Sequence, residues 1–243
     1  KWAKFHRKKF KNPVLSITRN YGKTVIKEWI NFIAQEKINI LRSPKSYNSQ
    51  FGAALTLLSL TKYHELAIIE TGISMPGEMD LMKQMIEPSH VILTNIGKEH
   101  IENFNSIDEL RIEKEKILKG TIHTYLKNNE FNFKRNIVKK GQEIHCEYNS
   151  KKEVFFIQQK DENSAKNFIC CLGFLNQIKY GSKDIKALSP FLPEVALRFE
   201  KKSGISNSVI INDSYQNNFQ SLKISLETLK SECGSSKTTL ILS

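Results

Sequence analysis

The sequence predicts an α/β fold of the phosphate-loop type, a mostly parallel sheet flanked by helices, on three observations. Short apolar runs of strand length recur along the chain with helix-period segments between them. The first run passes through a tight turn ending in Gly-Lys-Thr and straight into an amphipathic helix. With 243 residues, 40% of them hydrophobic, the chain has enough apolar side chain for one large core, with or without part of a second.

Residues 2–10 read as a leading helical segment. "PVLSI" (13–17), "ELAIIET" (65–71), "HVILTNI" (90–96), "SVIIND" (208–213) and "TTLILS" (238–243) read as buried strands. Ile26, Trp29, Ile30 and Ile33 fall at helical spacing, which predicts a helix from Thr24 to Gln35. The polar, weakly alternating stretch 121–160 predicts a small antiparallel insertion or edge. Helical periodicity returns from Ser164 to Ile178, and "YGSKDI" (180–185) reads as a turn and a helix start. A strand, a helix over about 218–230 and a last strand then look like the opening of a second domain. The expected organisation is a leading helix or linker at 1–11, a central domain at 12–205 and the start of another domain at 206–243.

Composition narrows the function. The net charge of +12 comes mostly from dispersed lysine, without arginine clusters or interleaved aromatics, so it argues for a solvated surface and an anionic small substrate rather than nucleic acid. No apolar run reaches the length of a membrane span and no export signal is visible, so a soluble, cytoplasmic protein is expected. Cys146, Cys170, Cys171 and Cys233 have no metal-site spacing and read as reduced thiols.

"SITRNYGKT" (16–24) carries the chemistry. In a phosphate loop, backbone N–H groups and a helix N-terminus face the phosphates, a lysine neutralises charge and a hydroxyl holds magnesium. Gly22, Lys23 and Thr24 suit those last roles. The loop departs from the usual pattern: Ser16 is read at its leading glycine, and Arg19 brings a bulky side chain into the turn. If position 19 needs φ > 0, Arg19 costs about 1–2 kcal/mol and fills phosphate space, whereas a guanidinium beside phosphates would instead bind them. Glu70 ends a buried strand at the edge where α/β sheets place ligands, and a carboxylate there suits Mg²⁺. In "SIDELRIEKEK" the charge pattern treats Lys114, Lys116 and Lys119 alike.

Five blocks in order resemble the central domain of the Mur ligases: residues 3–29, whose loop stands where the family usually reads TGSNGKT or TGTNGKT, then "RSPKSYNSQFGAALTLL" (42–58), "AIIETGISMPGEM" (67–79), "ILTNIGKEHIENFNSIDELRIEKEKIL" (92–118) and "IINDSYQNNFQSL" (210–222). Within the family the chain looks most like the branch that adds D-alanyl-D-alanine to UDP-N-acetylmuramoyl tripeptide. Its 42–58 block resembles the form fused to an alanine racemase. The resemblance implies an ATP- and Mg²⁺-dependent amide ligase of peptidoglycan precursor synthesis. It also implies a Rossmann-like C-terminal domain that begins here, and an N-terminal UDP-binding domain outside this sequence. By resemblance, Asn20, Gly22, Lys23, Thr24, Asn167, Arg198 and Asp213 bind the nucleotide. Thr24, Glu70 and His100 hold magnesium, joined by Lys114 once carbamylated, and Lys23, His100 and Lys114 are the catalytic set. Gln216 stands where the family usually has asparagine. Two other readings stay open: a Mur-ligase-like domain with a degraded loop, and a ligase that extends folate with glutamate.

Overall fold

The computed structural model describes residues 1–18, 22–93, 101–121, 123–125, 133–196, 200–215, 222–223, 225–227, 229–230 and 237–241. The chain falls into two units, Lys1–Leu192 and Pro193–Ser243. The first begins α1 (Trp2–Arg7), β1 (Val14–Thr18), α2 (Lys23–Ala34), β2 (Ile40–Arg42), α3 (Gln50–Leu58), β3 (Leu66–Glu70), α4 (Glu78–Ile86) and β4 (His90–Leu93). It continues with α5 (Ile107–Glu115), β5 (His123–Tyr125), β6 (Phe133–Val138), β7 (Gly141–Tyr148), β8 (Lys151–Ile157), α6 (Glu162–Gln177) and α7 (Ser182–Leu188).

Five strands pair in the order β2-β3-β1-β4-β5, every pair parallel. Parallel strands joined by helical crossovers are covered on both faces, and every residue of β1 and β3 is buried. The period of two sorts their side chains between two layers. Leu15, Ile17, Leu66, Ile68 and Ile92 face a core built with Ile26, Ile30 and Ile33 of α2 and Phe168, Leu172 and Leu175 of α6. Val14, Ala67, Ile69, Val91 and Leu93 face the opposite core, with Ala53 and Leu57 of α3 and Met79 and Met82 of α4.

The antiparallel region expected at 121–160 is a three-stranded sheet, β6-β7-β8, whose Ile144, Tyr148, Phe155 and Ile157 extend the α2/α6 core. His123–Tyr125 departs from that expectation, pairing in parallel with β4 as the fifth strand of the main sheet. Two tyrosines tie these parts together. The Tyr148 hydroxyl donates to the Tyr180 carbonyl at 2.8 Å, and the Tyr180 hydroxyl donates to the Ile33 carbonyl in the last turn of α2 at 2.7 Å.

The second unit holds an antiparallel pair, β9 (Glu200–Ser203) with β10 (Val209–Asn212). The expected strand at 208–213 therefore forms but is not buried: Val209 and Ile210 are 65% and 54% exposed. Its partner β9 is too rich in lysine to signal a strand. The expected strand at 238–243 does not form over its described residues, 238–241. Leu240 and Ile241 are exposed there, without the ladder and cover that a buried strand requires. Most of the expected helix at 218–230 lies outside the described residues.

Candidate nucleotide and cation site

The parallel sheet aims the ends of β1 and β3 at one edge, where open α/β sheets bind ligands. β1 ends at Thr18 and α2 begins after Gly22, whose φ of 88° lies in the left-handed region that favours glycine. A Cβ added at Gly22 would stand 2.6 Å from the Asn167 side-chain oxygen, so a neighbour as well as the backbone demands glycine here. This closeness also brings Asn167 of α6 to the turn expected to hold phosphate. The N-cap of α2 is Gly22, which brings no side-chain cap to a helix end of the kind that receives anions.

Lys23 and Thr24, the first residues of α2, are buried. The Thr24 hydroxyl donates to Glu70 Oε2 at 3.2 Å and lies 3.0 Å from the Ser46 hydroxyl. Glu70 is fully buried. Its Oε1 lies 2.9 Å from the Lys27 ammonium, yet no donor is aligned on that oxygen as a hydrogen bond. A buried carboxylate beside two hydroxyls is a hard-oxygen donor set of the kind Mg²⁺ takes. Among the described residues no group of three His, Cys, Asp or Glu side chains forms a metal site.

Lys114 is buried and lines one cleft with Lys23, Thr18, Thr71, Asn48 and Glu78. The structure thereby separates three lysines that charge patterning leaves equivalent. Lys119 is exposed, and Lys116 is tied to Glu113 at 2.7 Å and Asp80 at 3.0 Å. Its hydrogen bonds to Glu113 first, then to Asp80, push the Lys116 ammonium above its ordinary range. Glu113 in turn accepts from the N–H groups of Gly77 and Met79, holding the start of α4 and with it Glu78 against the cleft.

The first unit thus brings together Gly22, Lys23, Thr24, Glu70, Lys114 and Asn167. Asp213 belongs to the second unit, where its carboxylate accepts from the Ser225 hydroxyl. Arg19, Asn20, His100, Arg198 and Gln216 lie outside the described residues. Ser16 needs correcting: it is the middle residue of β1, its hydroxyl bonded to that of Thr71, and not a loop position. The glycine of the phosphate pattern, five residues before Gly22, falls on Ile17, which the core requires to be apolar.

Sequence reasoning missed Lys27, Ser46 and Glu78. Lys27 carried a signal: it lies three residues before Ile30 and one after Ile26, on the side of α2 that the apolar period marks as buried. Ser46 comes from a turn and Glu78 from the first position of α4, placements that no periodicity encodes.

The model of the Mur ligase middle domain matches residues 17–184. UDP-N-acetylmuramoyl-tripeptide--D-alanyl-D-alanine ligase from Rickettsia prowazekii is 27% identical over an alignment covering 99% of this chain and 61% of the relative. A crystal structure of MurF from Acinetobacter baumannii superposes with a TM-score of 0.86 at 18% identity, covering 95% of this chain and 57% of that one. MurF ligase from Thermotoga maritima in complex with ADP gives a TM-score of 0.79 at 18% identity, covering 93% and 59%. At that identity the structural likenesses show the fold, and the chain spans about three fifths of the length of these proteins.

Proposed function

The chain belongs to the Mur ligase family, and on that premise we propose that it is the nucleotide-binding part of an ATP-dependent ligase that joins D-alanyl-D-alanine to UDP-N-acetylmuramoyl tripeptide. The names of the curated relatives support that substrate pair. The observation that carries the nucleotide reading is the junction of Thr24 with Glu70 immediately behind the left-handed Gly22 turn and its Asn167 neighbour.

In this reading residues 12–205 form the central domain and 206–243 open the C-terminal one. The tripeptide carboxylate attacks the γ-phosphate of ATP, an acyl phosphate forms as ADP leaves, and the amine of D-alanyl-D-alanine displaces phosphate and gives up a proton to close the amide. Bound magnesium would neutralise charge on the transferring phosphoryl group. The N-terminus of α2 receives the phosphates and Lys23 compensates their charge. Thr24 and Glu70 hold the cation, Asn167 flanks the nucleotide, and Lys114 borders the cleft, where carbamylation would turn it into an anionic ligand. His100, Asn20, Arg198 and Asp213 complete the assignment by resemblance. The racemase-fused form is tested by the parent protein's own racemase activity.

The deciding experiment is calorimetry with a non-hydrolysable ATP analogue and Mg²⁺ on the unaltered protein, Lys23→Ala and Arg19→Gly. Binding that vanishes with Lys23→Ala sustains the reading. Binding that emerges only in Arg19→Gly would instead identify a shut loop.

A further inference from the structure

We propose that Lys27 is a positioning residue: its ammonium fastens the 43–48 loop to Glu70 and leaves that carboxylate a single oxygen for a cation. This rests on the cation reading above.

An ammonium without solvent contact survives only when paired and hydrogen-bonded. Lys27 has no exposed side-chain surface. It donates to the Ser43 carbonyl at 2.7 Å and to the Lys45 carbonyl, and lies 2.9 Å from Glu70 Oε1 and 3.2 Å from Glu28 Oε1. Glu28 also receives the Arg42 guanidinium at 3.0 Å, at the end of β2 where the loop begins. The loop answers with bonds of its own. The Ser43 hydroxyl accepts from the Glu70 N–H at 3.1 Å, Ser46 meets Thr24, and the Asn48 carbonyl accepts from the Gly72 N–H at 2.7 Å. One charge therefore stands where helix, strand end and loop converge, and the loop delivers Asn48, Ser49 and Gln50 to the cleft shared with Lys23 and Lys114.

The two oxygens of Glu70 are divided. Oε1 faces Lys27 and Oε2 faces the Thr24 hydroxyl. Mg²⁺ accepts single carboxylate oxygens in a tight octahedron, whereas Ca²⁺ readily takes both oxygens of one carboxylate. Holding Oε1 favours the smaller ion.

The test uses the protein at its full natural length, unaltered and as Lys27→Met. Mg²⁺ and Ca²⁺ binding are measured calorimetrically with ADP present, and limited trypsin cleavage after Lys45 is followed without metal. The expected result is a preference for Mg²⁺ that narrows about tenfold in Lys27→Met, the size typical of losing a group that orients a metal ligand, together with faster cleavage. Circular dichroism confirms the fold. If Lys27→Met does not fold, Lys27→Gln replaces it: its amide, one bond shorter, cannot span from the Ser43 carbonyl to Glu70, and the same changes are expected. An unchanged ion preference or unchanged cleavage in a folded variant overturns the proposal. Unaltered protein that binds neither ion refutes the cation reading itself, and this inference with it, before any substitution is compared.

Discussion

β1 and β10 are similar as sequence, Val-Leu-Ser-Ile-Thr against Val-Ile-Ile-Asn, and opposite as structure. β1 lies between two parallel neighbours with helices over both faces and has no exposed residue. β10 pairs with a single antiparallel strand, and Val209 and Ile210 stand mostly in solvent. An apolar run therefore reports a strand's need for cover; the cover itself comes from elsewhere in the chain. The function follows the same division, because the buried strand is the one that fixes a site at its end.

The largest effect expected from breaking this contrast is on stability. Ile17→Ala leaves a cavity in the α2/α6 core and should cost about 2–5 kcal/mol, whereas Ile210→Ala should stay within about 0.5 kcal/mol. Urea unfolding followed by circular dichroism measures both, and equal costs would mean that β10 is covered as completely as β1.

A smaller effect is expected at the end of β1. Gly22→Ala should cost about 1–2 kcal/mol through left-handed strain, and its methyl group would also press on Asn167. Pairing it with Asn167→Ala removes the collision but not the strain. The double variant should accordingly recover part of the lost melting temperature, and a strictly additive loss would show that Asn167 does not press on residue 22.

The smallest effect lies on β8. The hydrogen bond from Lys186 first, then that from Ser182, holds the Glu153 carboxyl below its ordinary value of 4.5. A lowered carboxyl stabilises the fold above the unfolded value and loses that contribution as pH falls through the folded one. Unaltered protein should melt slightly above Glu153→Gln at pH 7, and the gap should close as pH drops below about 4.5. A gap independent of pH would exclude the ion pair as its source.

How much was legible follows from which forces act locally. The strands expected at 13–17, 65–71 and 90–96, whose described parts include β1, β3 and β4, are written as apolar runs, and the helix after Gly22 in its period, because burial on both faces or on one selects the side chains. Glu70 was legible as an end-of-strand carboxylate for the same reason. Lys27 was not, because charge usually means solvent and its partners come from a loop sixteen and eighteen residues on and from the end of another strand. Ser16 was misread because the leading glycine of the phosphate pattern, five residues before Gly22, falls on Ile17, while Ser16 lies inside the apolar run that forms β1. His123–Tyr125 escaped because three residues are too few to show a period.

The two tyrosine bonds on α2 have a mechanical consequence. One end of this helix faces the Gly22 turn, and the other is latched through Tyr180 to Tyr148 on the antiparallel sheet. A rod clamped at its far end can neither slide nor swivel to follow what docks at its near end. The two bonds make α2 the fixed datum against which the rest of the binding edge adjusts.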